Sequence, residues 1–280
     1  DILNRGQSGM AVRIIGSTNM QAGGTILDRS STNENSSVIV FEETSYIELD
    51  HLRLTGGGRG VLLDNSLDCS LSWVEAYGNI GNGFDVLAGY PYRFDHCLSR
   101  NNGGWGISVQ SIQGEAFFNQ GILWSNRLGS AEAQAGSLAI SNSILHAAGS
   151  TNAVYGLDEL GRFYNDFNVI WPVGKALVGR DVKRKISFRR LQDWQNDRGQ
   201  DLHSQWTFPQ FADDENGDFH LKTDHPEGRY STTAGVWTSD AEVSWAIDAG
   251  AFSASFANEP DPNGSRLNAG LYGNTWQASK

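Results

Sequence analysis

Apolar and polar residues repeat along the first part of the chain with a period of about 23 residues. Three glycines, Gly60, Gly83 and Gly106, fall in step, and each is followed by two apolar residues at alternating positions. These apolar pairs are Val61 and Leu63, Phe84 and Val86, and Ile107 and Val109. Alternation predicts short strands, and a fixed period of this length predicts a solenoid in which each repeat buries its apolar side against its neighbours.

The repeat divides the chain into coils and a C-terminal segment of different character. Strands are predicted in three aligned coils at 46–66, 67–89 and 90–111, and in further stretches at 10–15, 25–27, 38–41, 138–145 and 163–170. After Ser111 the register loosens, with an insertion around 126–136. We therefore predict an all-β, right-handed parallel β-helix of about seven coils over residues 1–174. Residues 175–280 are predicted to pack on it as an irregular, partly helical segment of the same structural domain.

One helix is predicted in this segment, over residues 187–197. Leu191 and Trp194 recur at helical spacing, Ser187 can cap the start, and Gly199 can end the helix. We expect the segment to pack on the side of the solenoid or to cover its end, where unpaired strand edges otherwise invite aggregation.

Composition and charge exclude several classes of protein. A net charge of -11 over 280 residues argues against nucleic-acid binding, which requires cations that neutralise phosphate. No apolar run reaches the roughly 18 residues of a membrane span, and no signal peptide opens the chain. We expect a mature or trimmed piece of a longer protein, with any domains before Asp1 left open. Few lysines and many Gly, Asn, Ser and Trp favour an exported bacterial protein, secreted or at the cell surface.

Two cysteines and several outward-facing columns follow from the repeat. Cys69 and Cys97 fall in columns five residues apart, which predicts two buried free thiols.

Residues flanked by inward apolar positions point outward, and equivalent strands of adjacent coils lie about 4.8 Å apart, so outward side chains form columns. The predicted columns are Leu62, Asp85 and Ser108; Asp64, Leu87 and Gln110; a bend lined by His51, Trp73 and His96; and a corner shared by Asn79 and Asn102.

The C-terminal third carries motifs of a known group of proteins. They are Gly-Gln-Asp-Leu-His-Ser at 199–204, Pro-Gln-Phe at 209–211, Gly-Asp-Phe-His-Leu at 217–221, Ala-Ile-Asp-Ala-Gly at 246–250, Asn-Glu-Pro at 258–260, Pro-Asn-Gly at 262–264, Arg266, and Tyr-Gly-Asn-Thr at 272–275. In order and spacing these motifs resemble the closing coils of right-handed parallel β-helix repeat proteins of bacteria. That group includes many secreted polysaccharide lyases and glycoside hydrolases. The resemblance implies the fold over nearly the whole chain, but it names no reaction, because the same ending accompanies many activities.

The chain departs from two well-defined branches of this group. Hydrolases that cleave polygalacturonan carry clustered aspartates with a Gly-His-Gly and an Arg-Ile-Lys, and neither string occurs here. Pectate-lyase-like proteins bring calcium-binding aspartates and a basic residue as proton acceptor, and no string here matches that set. The sequence therefore leaves the chemistry open between these classes.

Asp64 and Asp85 are the best pair of carboxyls that the columns offer for glycosidic hydrolysis. They lie on adjacent coils with an offset of two residues, which places their backbones about 8 Å apart. That distance falls within the range of about 6.5 to 9.5 Å that inverting enzymes use. Ser108 and Gln110 extend the same side with hydrogen-bonding groups. The alternative is that both aspartates are ordinary solvated acids on the wall of the solenoid.

A lyase remains open as well, because it needs a base near the C5 proton of a uronic acid and a cation for its carboxylate. Arg93, His96 and Arg100 can supply the basic side, and the two aspartates can hold Ca²⁺, although whether any metal is bound is unknown. The acidic run 213–218 is either a second calcium loop or a plain hairpin turn.

Aromatic residues on the coils complete the candidate substrate site. Trp73, Tyr77 and Trp105 can stack against the apolar faces of sugar rings, or they can simply pack. We expect a carbohydrate-active enzyme, a hydrolase or a lyase, that cleaves a polysaccharide bound along the groove. The alternative is a non-catalytic module of a cell-surface protein that binds glycan or acts as a spacer. In either case we expect a monomer that does not bind nucleic acid.

Overall fold

The structure, a computed structural model, describes residues 5–18, 24–111 and 113–280. The predicted coil region begins at residue 1, so its first four residues lie outside the described part. Within the described ranges there are 23 strands and one helix. They are β1 (Val12–Ile15), β2 (Thr25–Asp28), β3 (Ser37–Glu42), β4 (Ile47–Thr55), β5 (Arg59–Asp64), β6 (Ser66–Tyr77), β7 (Phe84–Val86), β8 (Gly89–Asp95), β9 (Leu98–Arg100), β10 (Trp105–Val109), β11 (Glu115–Asn119), β12 (Ile122–Trp124), β13 (Gly129–Ser141), β14 (Ile144–Ala148), β15 (Ala153–Asp166), β16 (Val169–Val173), β17 (Leu177–Asp181), β18 (Ile186–Phe188), α1 (Leu191–Arg198), β19 (Gln205–Trp206), β20 (Phe211–Asp213), β21 (Asp218–Leu221), β22 (Arg229–Ser231) and β23 (Val236–Thr238).

The strands form a parallel β-helix of about six turns, so the predicted count of about seven is slightly too high. Each turn contributes a strand segment to three faces. Face 1 contains β1, β8 and β11 with the first halves of β4 and β6 and the second halves of β13 and β15. Face 2 contains β2, β9, β12, β14, β16 and β19 with the second halves of β4 and β6. Face 3 contains β3, β5, β7, β10 and β17 with the first halves of β13 and β15.

The repeated apolar residues stack in the interior, as the period predicts. Val61 pairs with Phe84 and Phe84 pairs with Ile107 on successive turns, and all three are fully buried. Phe94 extends the aromatic packing, with its ring centroid 5.1 Å from that of Phe84. Burial of apolar area is the main stabilising contribution in such a solenoid, because each turn covers the apolar side of the next.

Two polar stacks mark the bends, and both confirm the sequence prediction. His51, Trp73 and His96 each take a left-handed backbone conformation between face 1 and face 2, and their rings stack at centroid distances of 5.8 and 4.7 Å. At the corner between face 2 and face 3, Asn79 donates a hydrogen bond from Nδ2 to Oδ1 of Asn102 at 3.0 Å. The buried amides thereby satisfy one another from turn to turn.

The predicted helix exists, but it begins four residues later than expected. Ser187 lies in β18, where its pairing with Arg180 of β17 holds it in an extended conformation, and the residue before the helix is Arg190. The helix ends at Gly199 in the left-handed conformation, as predicted. Trp194 is fully buried and stacks on Tyr155 at 5.0 Å, within the same core as the solenoid interior. The helix therefore covers the end of the stack.

The rest of the C-terminal segment packs on the outer side of face 2. There a second apolar core joins the outward residues of face 2 to Phe211, Phe219 and Leu221. The outward residues in this core are Leu98, Ile122, Ile144 and Val169.

The acidic run at residues 213–218 forms the turn of the β20–β21 hairpin. The prediction of buried free thiols at Cys69 and Cys97 is confirmed. In the described part of the chain, no helix has the length and apolarity needed to cross a membrane.

Candidate functional site

The outer side of face 3 collects a column of polar side chains on successive turns. Leu62 pairs with Asp85, Asp85 with Ser108, Ser108 with Glu132, and Glu132 with Gly156. Adjacent turns lie about 4.8 Å apart, so Asp85 and Glu132, with Ser108 between them, have backbones separated by about 9.6 Å. The first three members of this column were predicted from the period.

Asp85 is buried and held by three hydrogen-bond donors. Its side chain is 1% exposed, and Nε of Arg59 donates to its Oδ2 at 2.6 Å. Nδ2 of Asn82 and Nε2 of Gln110 donate to its Oδ1 at 3.1 and 2.5 Å. Arg59 compensates the buried charge, which is what a carboxylate in this environment requires.

Asp64 lies at the end of β5, two residues beyond Leu62, which pairs with Asp85. The register therefore has the predicted offset between the two aspartates, and their backbones are about 8 Å apart. The Asp64 side chain is half-buried, in contrast to the buried side chain of Asp85. Of the two, Asp64 is the more accessible to water.

Glu132 is the second carboxyl that the structure brings into the Asp85 column. Its Oε2 accepts hydrogen bonds from Oγ of Ser108 at 2.9 Å and from Nε2 of Gln134 at 3.0 Å. Burial raises the pKa of Glu132, the charge of Asp85 raises it further, and hydrogen bonds from Gln134, Ser108 and Trp105 lower it in part. The net effect is a carboxyl that holds its proton more tightly than an ordinary glutamate.

Glu132 is absent from the predicted columns because residues 126–136 have the features of an insertion in the repeat. The signal was present, since Glu132 follows Ser108 by one period and stands between the alternating small residues Ala131 and Ala133. Both alanines are fully buried in the core. Small residues in the interior weaken an apolar pattern, which is why the strand was not recognised.

The indole ring of Trp105 lies beside the Glu132 carboxyl. A Cβ atom added at Gly156 would lie 2.7 Å from the Trp105 ring, and one added at Gly129 would lie 2.5 Å from it. Side chains at these two positions would therefore displace the indole. The two glycines leave room for the ring against the next turns, where it lies close to the Glu132 carboxyl.

Two of the other predicted substrate-binding residues lie under the C-terminal segment. Nε2 of His96 is 3.0 Å from the carbonyl oxygen of Gly273, and the ring of Trp73 lies 6.2 Å from that of Tyr272. Burial lowers the pKa of His96. Packing accounts for these contacts, and a role in substrate binding stays a prediction for both residues.

Tyr77, Arg100 and Arg93 also lie away from face 3. Arg100 is on face 2, where its Nε donates to Glu75 at 2.7 Å and its guanidinium lies 5.2 Å from the centre of the Tyr77 ring. Arg93 is on face 1, where it pairs with Asp68 at 2.9 Å. The structure thus brings Trp105, Ser108 and Gln110 to Asp85, and it leaves the five remaining candidates elsewhere.

The acidic hairpin turn uses its carboxylates for internal contacts. Asp214 accepts a hydrogen bond from Nε1 of Trp124 at 2.9 Å, and Asp213 accepts one from Nδ2 of Asn216 at 2.8 Å. Among residues 5–18, 24–111 and 113–280, no group of three or more His, Cys, Asp or Glu side chains is arranged to hold a metal ion.

Comparison with known proteins gives one structural similarity. No protein-family model matches the chain, and no curated protein matches it. The crystal structure of the pectate lyase Pel9A aligns with 96% of this chain and 81% of its own, with a TM-score of 0.49 and 10% sequence identity. A similarity this low does not extend the activity of that protein to this chain, and the parallel β-helix stands on the strand pairing described above.

Proposed function

We propose that the chain is a carbohydrate-active enzyme that cleaves a polysaccharide bound across the outer side of face 3. The observation that carries this proposal is the column in which Asp85 and Glu132 flank Ser108. Glycosidic hydrolysis by inversion needs two carboxyl groups about 6.5 to 9.5 Å apart, and backbones separated by about 9.6 Å are compatible with that carboxyl separation. Trp105 beside Glu132 supplies the aromatic surface on which a sugar ring can stack.

The two carboxyls have environments suited to different roles. Glu132, with its pKa raised by burial and by the charge of Asp85, is suited to donate a proton to the glycosidic oxygen. Asp85, paired with Arg59, is suited to act as the ionised partner. Pairs of carboxyls whose surroundings separate their proton affinities are typical of acid and base assignments in glycosidases.

Asp64 offers a second possible pairing with Asp85, which is the pairing that the sequence predicts. Both pairings contain Asp85, and they differ in whether Glu132 or Asp64 is the second carboxyl. Hydrolase and lyase chemistry also differ in product: both release a new reducing end, but hydrolysis leaves a saturated non-reducing end and elimination leaves an unsaturated sugar there. These alternatives can be resolved by one set of variants and two product assays.

The experiment incubates the protein with a panel of neutral and acidic glycans and measures both reducing ends and ultraviolet-absorbing unsaturated products. Asp85→Asn and Glu132→Gln are each expected to lower the rate at least about 100-fold, the usual contribution of general acid–base catalysis. Glu215→Gln, which changes an exposed carboxyl in the turn of the β20–β21 hairpin, serves as the matched control and is expected to retain the parent rate. Loss of activity in Asp64→Asn with a normal rate in Glu132→Gln would select the other pairing.

One observation favours a second candidate, a non-catalytic glycan-binding or structural module. Asp85 is almost fully buried and its oxygens already accept three hydrogen bonds, as expected of a structural carboxylate. This candidate predicts that no glycan in the panel yields either product, while the folded protein binds one of them or none. Export, bacterial origin and a monomeric state stay predictions for both candidates.

A further inference from the structure

Face 1 carries two exposed aromatic side chains in one column, on the other side of the bend from face 2. Phe117 is 40% exposed and Tyr164 is 55% exposed. Phe117 pairs with Ala139, and Ala139 pairs with Tyr164, so the two rings lie two turns apart. That separation is about 9.6 Å along the helix axis. The small side chain of Ala139 leaves the space between the rings open.

Polar side chains line both sides of this aromatic column. Asp95, Asn119, Ser141 and Asp166 form the next column toward face 2. Nδ2 of Asn119 donates to Asp95 at 2.8 Å, and Oγ of Ser141 donates to Oδ1 of Asn119 at 3.1 Å. These bonds hold the polar side chains in a fixed ladder. The column on the other side contains Glu115, Ser137 and Arg162.

We propose that the outer side of face 1 is a second glycan-binding surface, separate from the proposed active site on face 3. A glycan strand running along the helix axis would stack alternate sugar rings on Phe117 and Tyr164. Sugar rings present an apolar face to aromatic rings and hydroxyls at their edges, and the flanking polar columns match those hydroxyls. The spacing of the two rings is close to that of every second unit of an extended β-1,4-linked glycan.

The chemistry of the face favours a glycan over a protein partner. A protein interface typically has a continuous apolar centre, whereas here the two rings are separated by Ala139 and bounded by polar columns. Acidic and basic side chains are mixed on this face, and Arg93 is already paired with Asp68. The expected ligand is therefore a neutral, extended polysaccharide.

The test measures binding of neutral β-linked and acidic polysaccharides by affinity electrophoresis and by pull-down on insoluble glycan. All proteins carry Asp85→Asn, so that cleavage at face 3 does not consume the ligand and the result does not depend on the proposed activity. Phe117→Ala and Tyr164→Ala are each expected to weaken binding by about tenfold, as for a central aromatic contact. Trp245→Ala, which removes an aromatic side chain 70% exposed in the C-terminal segment, is the control and should bind as the parent does.

Three results would overturn the proposal. The first is that no polysaccharide in the panel binds the parent, and the second is that both face 1 variants bind as tightly as the parent. The third is that sedimentation shows the parent to self-associate through this face and the variants to be monomeric, because a second copy of the chain would then be its occupant. Far-ultraviolet circular dichroism of each variant establishes that the fold is retained.

Discussion

Replacement of Asn102 by alanine tests the buried amide ladder that holds the corner between face 2 and face 3. Asn102 is 1% exposed, and its Nδ2 donates to the carbonyl of Ala76, to Ser99 and to Asn126. Its Oδ1 accepts from the backbone N–H and the side-chain amide of Asn79, both at 3.0 Å. The variant therefore breaks five hydrogen bonds within one corner of the stack.

The expected loss of stability follows from that count. Net loss of a protein hydrogen bond costs about 0.5 to 1.5 kcal/mol, and a buried donor left without a partner costs about 1 to 3 kcal/mol. The backbone N–H of Asn79 is such a donor, whereas its Nδ2 retains a bond to the carbonyl of Leu54. Because Nδ2 of Asn102 shares two hydrogens among three acceptors, we take the lower values and expect a loss of about 3 kcal/mol.

Equilibrium unfolding in urea provides the measurement, with the change in midpoint converted through a common slope. Asn35→Ala removes an exposed amide and is the matched control, expected to change the free energy of unfolding by less than about 0.5 kcal/mol. A loss in Asn102→Ala no larger than that of the control would refute the idea that the ladder stabilises the stack.

Three further changes probe charge and packing elsewhere. Burial raises the pKa of Glu259 to about 7 from 4.5, so the parent loses stability as pH rises between these values. In denaturant titrations Glu259→Gln should then be more stable than the parent by about 3 kcal/mol at pH 8, and this difference should disappear near pH 4. A difference in stability that does not change with pH would contradict this. Arg59→Ala leaves the buried Asp85 carboxylate without its paired cation and should lower the free energy of unfolding by about 3 kcal/mol. The double variant with Asp85→Asn should recover most of that loss. If the losses of the two single variants simply add in the double variant, the unfolding experiments would count against the pair. Trp194→Ala removes the side chain that covers the end of the stack and should lower the free energy of unfolding by about 4 kcal/mol. The exposed strand edges should also increase light scattering through aggregation. A stable, monodisperse variant would show that the helix does not protect this end.

The interior and the bends could be predicted from the sequence because they repeat. Val61, Phe84 and Ile107 stack in one row because only apolar residues spaced by one turn can fill a shared interior. Asn79 and Asn102 could be paired for the same reason, since equivalent corners of adjacent turns meet. Where the period is strict, position in the chain fixes position in space.

The prediction was weaker where contacts depend on the C-terminal segment or on side-chain reach. The period could show that Trp73 and His96 point outward, but it could not show that residues near 272 cover them. Ser187 has the right residue type for a helix cap, yet pairing with β17 draws it into a strand. Asp85 was correctly placed in an outward column, but its burial depends on Arg59, whose long side chain reaches it from an earlier turn.

The most direct test of the proposed active site is a crystal structure of Glu132→Gln soaked with an oligosaccharide that the parent cleaves. We predict that the sugar lies across the outer side of face 3, with a ring against Trp105 and a glycosidic oxygen within hydrogen-bond distance of the substituted side chain. Asp85 is predicted to lie on the other side of the same bond. Absence of oligosaccharide from the outer side of face 3, with the column from Asp85 to Glu132 unoccupied even when a glycan is bound on face 1, would contradict the account.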